Sequence, residues 1–166
     1  MRSKDCESRA ARRWLAAHGA TYAPLKPVYL GDDLFSRQPI CEAAREAGGD
    51  FLFVCKPDSH PAIEEFRAGI VLDERVERVR RGKQWATHRC RWLCDVPLGG
   101  DARSITVNWL EIEIADARGA VTYRNSFTTS LPVNRDNVVE LAACGRARWK
   151  ACPCAGGDRE RDVQRA

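Results

Sequence analysis

Seven residues near the amino end, Pro27-Val28-Tyr29-Leu30-Gly31-Asp32-Asp33, constrain the fold more than any other stretch of the chain. A short apolar run stops abruptly at a glycine and two carboxylates. A helix-patterned segment follows, then a second apolar run, residues 51–55, closing in Lys56-Pro57. The order is strand, acid at the strand tip, helix, strand. The second run shows no polar alternation, which predicts cover on both of its faces. Two such strands joined by a helix predict a right-handed parallel unit. A carboxylate at the carboxyl end of a buried strand is where α/β sheets place ligand and metal chemistry. Asp32 is therefore the first candidate functional residue. On the residues alone, a turn at Asp32 and a helix cap at Asp33 suffice to explain the pair.

The flanking pattern extends this unit in both directions. Residues 4–18 have helical character, with His18-Gly19 as the expected stop and glycine as its cap. Pro24 and Pro27 hold the lead into the first strand extended. Ser36 is the expected cap of the next helix, Pro39 fits its first turn, and Ile40, Ala43, Ala44 and Ala47 form its inward stripe. Ser59-His60-Pro61 opens a short helix reaching about Ala68. The period then changes. Residues 75–80 and 84–96 read as two strands turning at Arg81-Gly82-Lys83, partly solvated because neither parity is wholly apolar. Ile105, Val107 and Trp109 alternate with polar residues, but Leu110, Ile112 and Ile114 continue on the opposite parity, which predicts a bulge between Trp109 and Leu110. Val121, Tyr123 and Phe127 lie on a returning strand. Residues 70–128 are thus an expected antiparallel meander after a parallel start. Asn134 is the expected cap of a helix running from Arg135 towards Trp149. From Ala151 the pattern is lost, and residues 151–166 are expected to be unstructured or weakly helical.

A chain of 166 residues at 44% hydrophobic content suits one domain, or one domain with an insertion. The net charge of +4 and pI near 8.7 suit a nucleic-acid partner, although ordinary soluble proteins reach the same balance. No apolar run approaches the ~20 residues of a membrane span, and the charged amino terminus leads into no signal-like segment. The expectation is a soluble, cytoplasmic protein with no membrane partner. Eight cysteines, at 6, 41, 55, 90, 94, 144, 152 and 154, form no Cys-x-x-Cys pair, so they read as reduced thiols, with Cys55 a buried small hydrophobe. His18, His60 and His88 carry no triad or metal spacing and read as surface or loop residues. Neither a glycine-rich phosphate loop nor a serine nucleophile elbow is present.

Taken together, Tyr29-Leu30-Gly31-Asp32-Asp33-Leu34-Phe35, the helix after it and the strand ending in Cys55-Lys56 resemble the second-aspartate region of DDE-type transposases from bacterial insertion sequences. Lys4-Asp5-Cys6-Glu7 with Ala11-Arg12-Arg13-Trp14-Leu15 is similar to the helix those proteins carry just before it. The β-rich stretch 70–128 is similar to the insertion many of them place before the final glutamate, and Arg146-Ala147-Arg148-Trp149-Lys150 to the start of their last helix. The resemblance covers about residues 4–150. It implies an α/β fold: a partial RNase H-like core with an antiparallel β insertion and a C-terminal helix, in a catalytic domain of residues 1–150. It implies transposition, the cutting and joining of DNA ends, in which carboxylates hold two magnesium ions that serve the attacking and leaving oxygens. Asp32 matches the second acid, as catalytic residue and metal ligand, and Asp33 is the fallback. Lys56, Arg148, Trp149 and Lys150 match positions that approach DNA.

The chain departs from the family in three places. The family's first aspartate lies on a strand upstream of anything present here. The third acid falls at Cys152, and the tyrosine expected three residues before the arginine at Arg148 is Gly145. The resemblance therefore implies a transposase truncated at both ends, with a change of reading frame near codon 151 and no two-metal site of its own. A basic hairpin, with Arg78, Arg80, Arg81, Lys83, Arg89 and Arg91 around Trp85 and Trp92, suggests a DNA-contacting face; a solvated charged hairpin explains it equally. The expected functions are a transposase fragment inactive alone, a residual DNA-binding module, or an unrelated small α/β protein.

Overall fold

The computed structural model describes residues 6–151. Helix α1 (Glu7–Tyr22) leads through a single 3-10 turn into strand β1 (Val28–Gly31), followed by α2 (Gln38–Glu46), β2 (Asp50–Val54) and α3 (Pro61–Arg67). Four long strands come next: β3 (Asp73–Arg81), β4 (Gln84–Pro97), β5 (Thr106–Ala115) and β6 (Val121–Thr129). Helix α4 (Val138–Ala151) closes the described chain. All six strands form one sheet in the order β1-β2-β6-β5-β4-β3. Only β1 and β2 run parallel, with Tyr29 beside Phe51 and Leu30 beside Leu52. Every other pairing is antiparallel. The strand–helix–strand start and the meander both stand as expected. The result is a mixed α/β fold with a mostly antiparallel sheet.

Each face of the sheet has its own core. On one face Phe51, Phe53 and Cys55 of the β2 segment join Val107 and Trp109 of β5 beneath Leu15 of α1, Ile40, Cys41 and Ala44 of α2 and Ile63 of α3. On the other, Leu52, Val54, Trp92, Leu110, Ile112 and Phe127 pack with Val138, Leu141 and Ala142 of α4. This division corrects the expected bulge at Trp109 and Leu110. The β4–β5 register is continuous there; its irregularity lies between Leu93 and Val96, where Asp95 takes a positive φ of 57°, and a second lies between Ile114 and Ala115 on the β5–β6 side. The apolar parity changes because the covered face changes. Early in β5 the helices α1–α3 shield Val107 and Trp109, and later α4 shields Leu110, Ile112 and Ile114.

Three local expectations are also corrected. Helix α1 does not stop at Gly19 but runs on to Tyr22, and Gly19 is buried within it against Ala47 at the end of α2. Ser36 does not cap α2; Arg37 holds that position, and the buried Ser36 hydroxyl pairs with Thr128 Oγ1 at 2.9 Å. Asn134 does cap, but four residues ahead of the first residue of α4: its Oδ1 accepts from the N–H groups of Asp136 and Asn137, while its own N–H donates to Asn137 Oδ1. That reciprocal bonding satisfies amides the coming helix leaves unpaired. The six described cysteines are free thiols, with Cys41, Cys55 and Cys90 buried. No described helix is long and apolar enough to cross a membrane. Of the expected tail, residues 151–166, Ala151 is the last residue of α4 and the remainder lies outside the described residues.

Candidate functional site

Because β1 and β2 are parallel, their carboxyl ends lie side by side, and the segments that follow them meet. Asp32 directly follows β1, half-buried, and its Oδ1 accepts the Leu34 N–H at 3.0 Å. This is a local carboxylate turn that starts the chain away from the sheet. Asp33 reaches across to the end of β2. Its Oδ1 accepts the Lys56 N–H at 2.7 Å, and its Oδ2 accepts the Ser59 hydroxyl at 2.5 Å. His60 stands behind them, with Nε2 3.6 Å from Asp33 Oδ1. Arg37 Nη1 donates to the Ser59 carbonyl at 2.9 Å and closes the loop from the α2 side.

Asp33 is thus a structural clasp between the two parallel strands, whereas Asp32 keeps one carboxylate oxygen outside its turn bond. His60 lies in the loop before α3, as one of the expected alternatives, but it is buried there rather than on the surface. Its proton affinity is lowered, first by burial and then by Arg37, with Asp33 opposing. His88 is also buried on β4, and only His18 is exposed as expected.

The magnesium centre implied by the resemblance can be tested against these donors. Asp33 has committed both oxygens to protein donors, and Asp32 has committed one. Among the described residues no three His, Cys, Asp or Glu side chains gather closely enough to hold a metal ion. Two-metal chemistry needs several carboxylates converging on the ion pair, so the described donors do not fit it. The matched helix end is different too. A Cβ at Gly145 would meet the Phe127 ring at 2.6 Å, so a tyrosine there requires Phe127 to move.

The DNA-facing candidates are dispersed. Lys56 is exposed at the end of β2 beside the Asp33 clasp. Arg148, Trp149 and Lys150 occupy the last turn of α4, far along the chain from it, and their side chains lie outside the described residues. The basic hairpin divides into two parts. Arg89 and Arg91 are paired: Arg91 meets Glu111 at 2.5 Å, and Arg89 meets Glu74 at 3.3 Å and Glu113 at 3.5 Å. Arg124 of β6 joins the same network through Glu111 at 2.8 Å. Three arginines therefore face three glutamates on this stretch of sheet. Trp92 points to the opposite face and is buried in the core under α4. Among the described side chains of the hairpin, those at its tip remain open and basic. There Arg78, Arg80 and Lys83 are exposed, and the Arg78 guanidinium lies 5.2 Å from the ring centre of the exposed Trp85.

A second basic surface escaped the sequence reading. Arg9, Arg12 and Arg13 of α1 border an open groove of about 820 Å³ against Ala43, Glu46 and Ala47 of α2. Their i, i+3, i+4 spacing marked a shared helix face in advance; that α2 would pack beside that face to form a groove was not legible. A search of protein-family models and of curated proteins finds no match to this chain.

Proposed function

We propose that this chain is a piece of a DDE-type transposase with a partial RNase H-like core, and that on its own it binds DNA without cutting it. The observation that carries the reading is the parallel β1–α2–β2 unit with Asp32 at its carboxyl tip, continuing through the short helix α3 into an antiparallel meander. On this reading Asp32 is the counterpart of the family's second metal ligand. The remaining carboxylates of a magnesium site must come from outside the described residues, and no catalytic step is assigned to this chain. DNA contact rests on Arg78, Arg80 and Lys83 at the hairpin tip, with Lys56, Arg148, Trp149 and Lys150 as the positions the resemblance adds. Contact through such cations is to the phosphate backbone, tolerant of sequence and sensitive to salt.

The test is retention of duplex DNA over a salt series. With about three phosphates neutralised at the tip, the logarithm of the binding constant falls with log salt at a slope of about −3. Arg78→Glu with Arg80→Glu flattens that slope by about two units. Nicking of supercoiled DNA with magnesium stays at background for the chain and for Asp32→Ala alike. Salt-independent retention, or none, refutes the DNA reading. Nicking lost in Asp32→Ala refutes the non-catalytic one.

A further inference from the structure

Strand β3 lies mid-chain between α3 and β4 and forms the edge of the sheet opposite to β1; among the described residues nothing pairs with its outer side. An unpaired edge offers backbone donors and acceptors to another strand, and charge commonly blunts it. On β3 the charges have both signs and a particular order. Counting outward from Val76, Arg75 on one side answers Glu77 on the other, and Glu74 answers Arg78. Val76 itself is 47% exposed. The backbone is set for pairing at the same residues. Arg81 and Gln84 are directly opposed across the two-residue turn at Gly82-Lys83, and such a turn closes on a hydrogen-bonded pair. Bonding alternates along an antiparallel strand, and the β3–β4 register is unbroken from Arg81 to Asp73. The odd-numbered residues therefore bond to β4, and Glu74, Val76, Arg78 and Arg80 turn their N–H and C=O groups outward.

We propose that this edge pairs with a second copy of the same chain, β3 against β3, antiparallel across a two-fold axis at Val76. Directly opposed residues share a sheet face, so a two-fold axis normal to the sheet must pass through a residue. Centred on Val76, it sets valine against valine, Arg75 against Glu77 of the other copy and Glu74 against Arg78 of the other copy, each of the charge pairs twice. Asp73 then opposes Val79, and every residue used lies within the strand. The neighbouring registers fail. Centring on Glu74, Arg75, Glu77, Arg78 or Arg80 opposes that charge to itself, and centring on Val79 opposes Arg78 to Arg80. The ion pairs already present fit the register: Arg75 and Glu77 meet at 2.5 Å within one strand, so the two copies together form a ring of alternating charge, and Glu74 stays beside Arg89 at 3.3 Å. Two-fold self-complementary association is also the commonest form among soluble oligomers. The pairing does not rest on the DNA reading and meets it only at Arg78, since Arg80 and Lys83 lie beyond the opposed segment.

Sedimentation equilibrium of the full chain without DNA, from micromolar to hundreds of micromolar, is the test. The expected result is a monomer–dimer equilibrium. Val76→Lys and Val76→Asp, each placing like charges together on the axis, weaken it about tenfold when alone. An equimolar mixture of the two variants dimerises again, because the introduced lysine and aspartate then face each other. Val121→Lys, at an exposed position on β6 away from this edge, leaves the equilibrium unchanged. Circular dichroism confirms that each variant is folded. Where a Val76 variant does not fold, charge exchange reads the same register: Glu74→Arg and Arg78→Glu each weaken the dimer, and the two combined in one chain restore it. A chain that stays monomeric throughout overturns the proposal. So does a dimer indifferent to the Val76 variants, a mixture no tighter than either variant alone, or a double charge exchange that fails to restore the dimer.

Discussion

Replacing Gly19 with alanine separates tertiary packing from helix propensity, because the two oppose each other at that position. Gly19 lies inside α1, where alanine is worth about 1 kcal/mol more than glycine in an isolated helix. A methyl group there, however, stands 2.4 Å from Ala47 Cβ and 3.0 Å from Ala47 Cα. Carbon atoms pack at about 3.5–4.0 Å, so α1 and α2 must part by roughly an ångström. One of the two obstructing atoms is backbone, which places the cost at the upper end of the usual 1–3 kcal/mol for overpacking. The net expectation is a loss of about 2 kcal/mol, lowering the melting temperature by roughly 4–8 °C for a domain of this size. Urea unfolding followed by circular dichroism measures it, with an unchanged m-value showing that stability alone has moved. In an Ala47→Gly background the penalty shrinks by about 1 kcal/mol, since the nearer obstructing atom is gone. A Gly19→Ala chain as stable as the parent, or more so, refutes the close approach of the two helices.

Glu111 is buried between Arg91 and Arg124, and Glu111→Gln removes the carboxylate nearest to both guanidinium groups; because Glu113 stays 3.9 Å from each and Arg124 is half exposed, the cost in urea unfolding is about 2 kcal/mol. Glu74→Gln, whose pair with Arg89 is 44% exposed on both sides, costs less than about 1 kcal/mol. Burial lowers the proton affinity of His60 from its ordinary pKa of 6.5, so on acidification the unfolded chain takes up a proton before the folded one does. Its contribution to stability is therefore flat above about pH 6.5 and falls below it, and His60→Asn removes that part of the slope between pH 7 and 5.5 in pH-dependent urea midpoints. Iodoacetamide at pH 8, read by peptide mass spectrometry, labels Cys6, Cys94 and Cys144 in the native chain and spares Cys41, Cys55 and Cys90. Burial raises the Cys41 and Cys90 thiols to about 12 and about 11 and Cys55 higher still, whereas backbone hydrogen bonds at Ser8 and Arg9 lower that of Cys6 and make it the fastest to react.

What the chain declares by itself is local and periodic. The apolar run at residues 51–55, the helical spacing of Ile40 and Ala44 and the glycine turn at Gly82 set the parallel start and the meander, because periodicity and turn chemistry act over a few residues. The position of Asp32 at a strand tip was legible for the same reason. Partners distant along the chain were not. Nothing in the spacing shows that Asp33 would clasp Lys56 and Ser59, or that Ser36 would leave its helix to pair with Thr128, 92 residues away. The parity change at Leu110 looked like a bulge because a sequence records that a residue is apolar but not which layer covers it. Tertiary structure also sorted the arginines, neutralising Arg89 and Arg91 across the strands and leaving the hairpin tip open. Charge along a chain is a count, and whether a charge is free depends on which strand folds beside it.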